Sequence, residues 1–294
     1  MTIEEDLKKI IRKAYDTHVH IGPEIIPRRF TSQSLANYEK GKLAGCVAKN
    51  HFYPTAAMIN EYDGIDLLGG VVLNNSLGGM NPEAVYAASI ISPMPIMVWF
   101  PTVNAENFLI KNRFEIAPEW VEDKNIRLKT ANEAKPVIVT DNGRLTDDAK
   151  KVIDMIARVR AILATGHISP DESLLVADYA LSRGISVVVT HPIYQHIDMS
   201  VAQQLNLSRA GCFIEQSYSM YSMDGISIKR IADQIKAVGP SNIVLSSDVG
   251  QSFSLSPSEA LEDFARLLML EGLSLKDINR MLVINPRRLL GIEH

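Results

Sequence analysis

The sequence predicts an α/β fold, a (β/α)8 TIM barrel with an insertion after the fourth strand. Eight short apolar segments alternate with helical patterns, and their ends recur roughly every 25–30 residues, about the size of one βα unit. Strands that alternate with helices pair in parallel, because each helix returns the chain to the same end of the sheet. The 294 residues fit a single domain over residues 1–294, since α/β barrels often run to ~250 residues.

Each predicted strand is an apolar run that ends in polar or turn-forming residues. The strands are Ala14–Ile21, Ala44–Phe52, Leu67–Asn74, Ile96–Thr102, Ala161–His167, Ile185–His191, Gly211–Gln216 and Asn242–Asp248. The helical patterns between them are Ser32–Leu43, Pro82–Ser89, Asp147–Arg158, Pro170–Arg183, Ser200–Arg209 and Ile226–Val238, and two more follow at Pro257–Glu271 and Ser274–Leu282. A first helix precedes the first strand, because Leu7, Ile10 and Ala14 follow a helical period.

The interval between the fourth and fifth strands is about 35 residues longer than the others, judged against one βα unit. It contains a polar stretch, Asn107–Asn132, and a hairpin or turn signal at Asp141-Asn142-Gly143. We therefore predict an insertion over approximately residues 104–146. It would lie on the face where barrels build their active sites, either as a lid or as a solvated decoration.

Composition excludes several classes of protein. With 46% hydrophobic and 22% charged residues, the chain has enough apolar side chains for a full core. A net charge of −4 without a basic cluster argues against nucleic acid as a partner. The apolar runs are too short to span a membrane, and no apolar signal core follows Met1, so we expect neither a membrane protein nor an exported one. Cys46 and Cys212 lie in apolar strands, so we expect buried thiols and a cytoplasmic protein. A homo-oligomer is expected only on general grounds, because most soluble oligomers are symmetric assemblies of one chain.

Histidines in the first strand suggest a metal site. The segment Tyr15-Asp16-Thr17-His18-Val19-His20 places Asp16, His18 and His20 at alternate positions, which share one face of a strand. We expect that face to point into the barrel. Two imidazoles about 6–7 Å apart along one face can converge on a single ion.

Further candidate ligands lie at the ends of later strands. His167 ends the fifth strand, His191 the sixth and Asp248 the eighth, so four of the seven histidines lie at strand ends. Imidazole and carboxylate groups together are a preferred ligand set for zinc, manganese or iron. The sequence therefore predicts one or two divalent ions, with zinc first and manganese, iron or nickel as alternatives.

This ordered set of histidines and an aspartate resembles the amidohydrolase superfamily of metal-dependent hydrolases, which are (β/α)8 barrels. The tail Asn285-Pro286-Arg287-Arg288-Leu289-Leu290-Gly291 resembles the Asn-Pro-Ala-x-x-Leu-Gly ending of that superfamily. The resemblance covers nearly the whole chain and points to an uncharacterised branch. It implies that His18, His20 and Asp248 bind one ion, and that His167 and His191 bind a second.

The fourth strand departs from the superfamily pattern. Many members with two ions have a carboxylated lysine or a glutamate there, whereas this chain has Met97-Val98-Trp99-Phe100-Pro101-Thr102. Lys49 and His51 on the second strand and Glu215 on the seventh are the candidates for a metal-bridging or substrate-binding role. A buried lysine needs a partner, so Lys49 is carboxylated, functional, or paired with Asp16 or Glu215.

The predicted function is hydrolysis of a small molecule by metal-activated water, with Asp248 as the catalytic base and then acid. The bond is an amide, ester, lactone or phosphoester. One alternative is a metal-dependent decarboxylase or other lyase on the same barrel, and another is a non-enzymatic metal-binding protein. The loop arginines Arg28, Arg29, Arg113, Arg127 and Arg144 either bind an anionic substrate or are solvated.

Overall fold

Parallel strands and surrounding helices form the computed structural model, which describes residues 3–59, 64–121, 123 and 125–292. Residues 1, 2, 60–63, 293 and 294 of the predicted domain, and 122 and 124 of the predicted insertion, lie outside the described residues. The strands are β1 Tyr15–His20, β2 Gly45–Lys49, β3 Asp66–Leu68, β4 Gly70–Val72, β5 Met97–Trp99, β6 Thr140–Asp141, β7 Arg144–Leu145, β8 Ile162–Ala164, β9 Val187–Val189, β10 Phe213–Ser217 and β11 Ile243–Ser246.

The α-helices follow most strands, as the alternation predicts. They are α1 Ile3–Ile11, α2 Ser32–Glu39, α3 Pro82–Ile91, α4 Glu106–Lys111, α5 Asp147–Val159, α6 Pro170–Ser182, α7 Val201–Ala210, α8 Ser219–Ser222, α9 Ile228–Val238, α10 Pro257–Leu270, α11 Leu275–Asn279 and α12 Asn285–Leu290. A π-helical turn, Arg280–Ile284, joins the last two. In the described part of the chain, every helix is too short or too polar to cross a membrane.

All the long-range strand pairs are parallel. One sheet has the order β1-β2-β3 and another the order β11-β10-β9-β8-β5-β4. The predicted third strand is split into β3 and β4 at Gly69, where a Cβ atom would lie 2.5 Å from the Ala56 Cα. The backbone of β1 also meets the chain just after β11, since His20 N donates to Val249 O (2.8 Å) and Asp248 N to His18 O (2.9 Å). All eight predicted strands are confirmed.

Two apolar layers lie on either side of the strands. The larger one packs the strands against the helices. The smaller one takes side chains from the opposite strand faces, and its members are Tyr15, Val47, Leu68, Val72, Met97, Trp99, Ile162, Ala164, Val188, Phe213 and Val244, together with Leu289 and Leu290 from α12. This division fits strands that are buried on both faces.

The segment between β5 and α5 contains α4, a short 3-10 helix at Pro118–Trp120 and the β6–β7 hairpin. The predicted turn is confirmed, because Asn142 and Gly143 both have positive φ (49° and 71°), as a type I′ turn requires. Trp120 reaches from this segment to the carboxyl ends of the parallel strands, where it lines a cavity.

Candidate metal centre

A partly open cavity of about 30 Å³ lies at the carboxyl ends of the parallel strands. That volume holds one or two water-sized groups. The predicted residues that line it are His20, Lys49, His51, His167, His191 and Asp248. His18 lies directly against this set, with its Nε2 3.0 Å from Asp248 Oδ1.

His18, His20 and Asp248 converge most closely. One ligand atom from each residue lies within 4.8 Å of those of the other two. Asp248 Oδ1 is 3.0 Å from His18 Nε2 and 3.1 Å from His20 Nε2, so one carboxylate oxygen faces both rings. The three groups come from the end of β1 and the turn after β11, which the backbone hydrogen bonds hold together.

An irregularity in β1 changes the expected place of Asp16. The register against β2 shifts between Asp16 and Val19, which breaks the simple alternation. The Asp16 carboxylate accepts hydrogen bonds from His18 N (3.2 Å) and Ser247 N (3.0 Å), and it does not line the cavity. Burial raises the pKa of Asp16 to about 7. The prediction that Asp16 shares a face with the histidine pair is wrong, because a β-bulge lies between them.

Glu215 holds His18 from behind. His18 Nδ1–H donates to Glu215 Oε1 (2.9 Å), while Oε2 accepts from His191 N (3.1 Å) and Ser246 Oγ donates to Oε1 (2.7 Å). Although burial opposes ionisation, the His18 charge and hydrogen bond hold the pKa of Glu215 below its usual value. Glu215 does not line the cavity, so the geometry favours a role behind His18 over bridging or substrate contact.

His167 and His191 form the opposite wall. Their ring centroids are 5.1 Å apart, and His191 Nε2 is 4.0 Å from Asp248 Oδ2. Burial lowers the pKa of His191 to about 4 and that of His167 well below its usual value, so both rings are neutral at pH 7. Within the described residues, the buried Nδ1 atoms of both rings have no hydrogen-bond partner. Neutral imidazoles with unused nitrogen atoms suit a metal site.

Asp248 is held in a strained backbone conformation. Its φ is 51°, and His191 also has a positive φ of 21°, whereas most side chains avoid this region. Ser219 Oγ donates to Asp248 Oδ2 (2.7 Å). Although burial opposes ionisation, the charge and hydrogen bond of His18, joined by those of His20, hold the pKa of Asp248 well below its usual value. The side chain is a carboxylate at neutral pH.

Lys49 lies beside the first histidine. Its Nζ is 2.9 Å from His18 Nε2 and 5.4 Å from the Trp99 ring centroid. Among the described residues it forms no salt bridge with a carboxylate, so neither predicted ion pair, with Asp16 or with Glu215, is present. Burial lowers the pKa of Lys49 to about 8.

His51 is fixed by the loops after β4 and β5. Its Nδ1 is 2.9 Å from Thr102 Oγ1, and Asn74 Nδ2 donates to the His51 carbonyl oxygen (3.0 Å). Ligand atoms of His20, Glu24 and His51 also lie within 4.8 Å of one another, a second group that could hold an ion. The sequence analysis did not identify Glu24, because this residue lies in a loop outside the strand and helix patterns.

The donor set fits a divalent metal ion. Its members are imidazoles and carboxylates with ligand atoms close together, the set that zinc and similar ions prefer. His18 meets a further expectation, since a histidine ligand normally donates its other N–H to a carboxylate. His20 differs, because its Nδ1 accepts a hydrogen bond from Arg28 Nη2 (3.1 Å). The proton of the neutral His20 ring is therefore on Nε2, and a metal ion that binds Nε2 would displace that proton.

Comparison with known proteins places the chain in a family. A family model described as "Family of unknown function (DUF6282)" matches residues 13–215. The chain belongs to the DUF6282 family. No curated protein matches this DUF6282 chain.

Solved structures resemble this DUF6282 chain over nearly its full length. An amidohydrolase from Pseudomonas aeruginosa has 10% identity and a TM-score of 0.55, with 98% of each chain covered. A second structure from the same organism, described as the "probable dipeptidase PvdM", has 11% identity and a TM-score of 0.52. The match covers 98% of this chain and 96% of that one. N-acetyl-D-glucosamine-6-phosphate deacetylase from Mycobacterium smegmatis, as a mutant in complex with N-acetyl-D-glucosamine-6-phosphate, has 15% identity and a TM-score of 0.52, covering 96% and 78%.

These likenesses show that the DUF6282 chain has the amidohydrolase fold, and they confirm the resemblance noted from the histidine pattern. At such low identity they speak for the fold alone. The family description assigns no function, which agrees with an uncharacterised branch.

The sequence analysis missed several residues of the site. Trp120 stacks on His51 with ring centroids 5.9 Å apart and an interplanar angle of 1°, and Ser219 holds Asp248. Trp120 lies in the irregular segment after β5, and Ser219 begins a four-residue helix. Neither has a periodic pattern or a motif that would have marked it.

Proposed function

We propose that this protein is a metal-dependent hydrolase that acts on a carbonyl or phosphoester centre of a small molecule. The observation that carries the proposal is the convergence of His18, His20 and Asp248, with Glu215 on the far nitrogen of His18. The fold supports it, since structural neighbours include proteins titled amidohydrolase, deacetylase and dipeptidase.

We assign His18, His20 and Asp248 to one divalent ion, and His167 and His191 to a second ion or to substrate. Zinc is the first candidate, with manganese, iron or nickel as alternatives. A bound ion would lower the pKa of water to ~7 and polarise the group under attack. Asp248, an acceptor-only carboxylate in the cavity wall, takes the proton from water and returns it to the leaving group.

The proposal also covers the fold, which we interpret as a closed barrel. The hydrogen bonds between β1 and the chain after β11, and the single apolar cluster shared by β1 to β5 and β8 to β11, support a closed eight-stranded barrel over one domain. The segment from about residue 104 to 146 is then an insertion after the fourth barrel strand, and its Trp120 gives that insertion a place in the cavity wall.

A decarboxylase or other lyase is the second candidate. It is favoured by the end of β5, where Trp99-Phe100-Pro101-Thr102 supplies no group to bridge two ions. Such an enzyme would release carbon dioxide and consume no water. The two reactions therefore differ in whether labelled oxygen from water enters the organic product or phosphate.

The test begins with metal content, measured by mass spectrometry on the wild type and on His18→Ala/His20→Ala. We expect at least one equivalent of metal in the wild type and a loss of most of it in the double variant. His196→Gln is the matched control, because His196 does not line the cavity. Equal metal content in all three proteins would refute the assignment.

A panel of N-acyl amino acids, lactones and phosphomonoesters, assayed in ¹⁸O-labelled water, tests the reaction. Incorporation of ¹⁸O into an organic product or into phosphate supports hydrolysis, whereas label in carbon dioxide is disregarded because carbon dioxide exchanges oxygen with water. Carbon dioxide release from a carboxylic acid without incorporation supports the lyase instead.

A further inference from the structure

Arg28 is a buried arginine in the cavity wall, next to His20. Its side chain is only 1% exposed. Nε donates to the Glu24 carboxylate, and Nη2 donates to His20 Nδ1 (3.1 Å). The remaining nitrogen, Nη1, is buried and has no hydrogen-bond partner among the described residues.

A guanidinium nitrogen in this position needs an acceptor. Buried donors are almost always paired, and an unpaired one is costly because it has lost its water. The other two nitrogen atoms are fixed by Glu24 and His20, so Arg28 cannot turn away without breaking both contacts. The acceptor of Nη1 is therefore supplied from the cavity, by solvent in the free protein and by a polar group of a bound ligand.

The surrounding charges indicate which acceptor fits. Lys49 adds a second cation to the wall, whereas Asp224 and Asp248 add two carboxylates. Because the Glu24 carboxylate already pairs with Arg28, a doubly charged phosphate would be repelled by Glu24, Asp224 and Asp248 more strongly than a singly charged anion would be. A carboxylate is planar and singly charged, and its oxygens match the geometry of a guanidinium.

We propose that Arg28 binds a carboxylate of the substrate, so that the enzyme acts on small carboxylate-bearing molecules. This inference rests on the proposed function. Arg28 and Asp248 contact opposite nitrogen atoms of the His20 ring, at 3.1 Å each. The carboxylate therefore lies a few bonds from the carbon that reacts beside Asp248. Arg28 acts as a specificity-determining residue.

The test uses matched probe pairs that differ only in charge. The pairs are acetate and acetamide, N-acetylglycine and N-acetylglycinamide, and succinate and succinamide, each titrated into the metal-loaded wild type. Binding is followed by intrinsic fluorescence, because the chain has two tryptophans and both lie at the site. Trp99 is 5.7 Å from His18 and Trp120 is 5.9 Å from His51, between ring centroids.

We expect at least one carboxylate to bind tenfold or more tightly than its amide. Arg28→Gln should abolish this preference, and Arg28→Lys should keep part of it, because lysine retains the charge but loses the planar fork. Arg29→Gln is the matched control from the same loop, since Arg29 binds the Ser254 carbonyl oxygen and lies outside the cavity wall. It should keep the full preference.

Metal content and thermal melting are measured on every variant. Lost preference in Arg28→Gln with wild-type metal and melting supports the inference, and if that variant unfolds, Arg28→Lys alone decides it. Equal binding of carboxylate and amide in all pairs, or no carboxylate binding in any pair, overturns the inference and leaves the hydrolase proposal intact. A wild type that takes up no metal during loading but still binds carboxylates overturns the proposed function instead.

Discussion

At the scale of single residues, the site depends on which nitrogen of each histidine is free. Glu215 fixes the Nδ1 proton of His18, which leaves Nε2 to face Asp248 and Lys49. The same carboxylate accepts from the His191 backbone, so one buried acid orients two walls of the cavity. Such outer partners orient the ligands, and their mutation typically costs about 10- to 100-fold in metal affinity or activity.

Glu215→Gln should weaken metal binding by about 10- to 100-fold. Glutamine can accept from only one of its two ends, so its amide group must face a donor, either His18 Nδ1–H or His191 N–H. Affinity is measured by competition with a chelator. Glu259→Gln removes an acid outside the cavity wall and serves as the control. Unchanged affinity in Glu215→Gln would show that Glu215 does not orient the site.

Lys49→Met should keep bound metal but lower kcat by about 100-fold or more. Lys49 Nζ lies beside His18 and in the cavity wall, where a cation can stabilise the charge that develops on substrate oxygen. Metal stoichiometry and kcat are measured on the same preparation. Loss of one ion per chain would instead identify Lys49 as a ligand through its carboxylated form.

At the scale of elements, the turns after the strands decide where the ligands lie. Gly166 separates β8 from His167 and has a φ of +63°. A Cβ atom at this position would lie 2.3 Å from Phe100 O and 2.6 Å from Pro101 O. The loop after β8 can therefore pack against the loop after β5 only if residue 166 has no side chain.

Gly166→Ala should destabilise the protein by more than the ~1 kcal/mol expected from positive φ alone. Gly184→Ala is the matched control, because Gly184 has a similar φ of +73° but a Cβ there meets nothing within 4 Å. Urea denaturation gives the free energy of unfolding of both variants. Equal losses of unfolding free energy in the two variants would mean that the positive φ alone, and not contact with Phe100, explains why residue 166 is a glycine.

Whole-molecule features were the easiest to predict, because they rest on many residues at once. Apolar runs and polar residues at strand ends predicted the eight strands and six of the residues that line the cavity. The bulge in β1 could not be predicted, since alternation assumes an unbroken register and Asp16 still satisfies the pattern. Trp120, Glu24 and Arg28 reach the site from irregular segments, where no period in the sequence relates neighbouring side chains to one another.

The proposed ion joins the start of the fold to its end, since His18 and His20 belong to β1 whereas Asp248 follows β11. Unfolding separates these ligands, so bound metal should stabilise the whole protein. At a free metal concentration of about 100 times Kd, the free energy of unfolding should rise by ~2.7 kcal/mol, and a chelator should reverse the gain. Urea denaturation with and without metal measures the effect, which His18→Ala/His20→Ala should abolish and His196→Gln should retain. A wild type that is equally stable with and without metal would show that no ion links the first strand to the last.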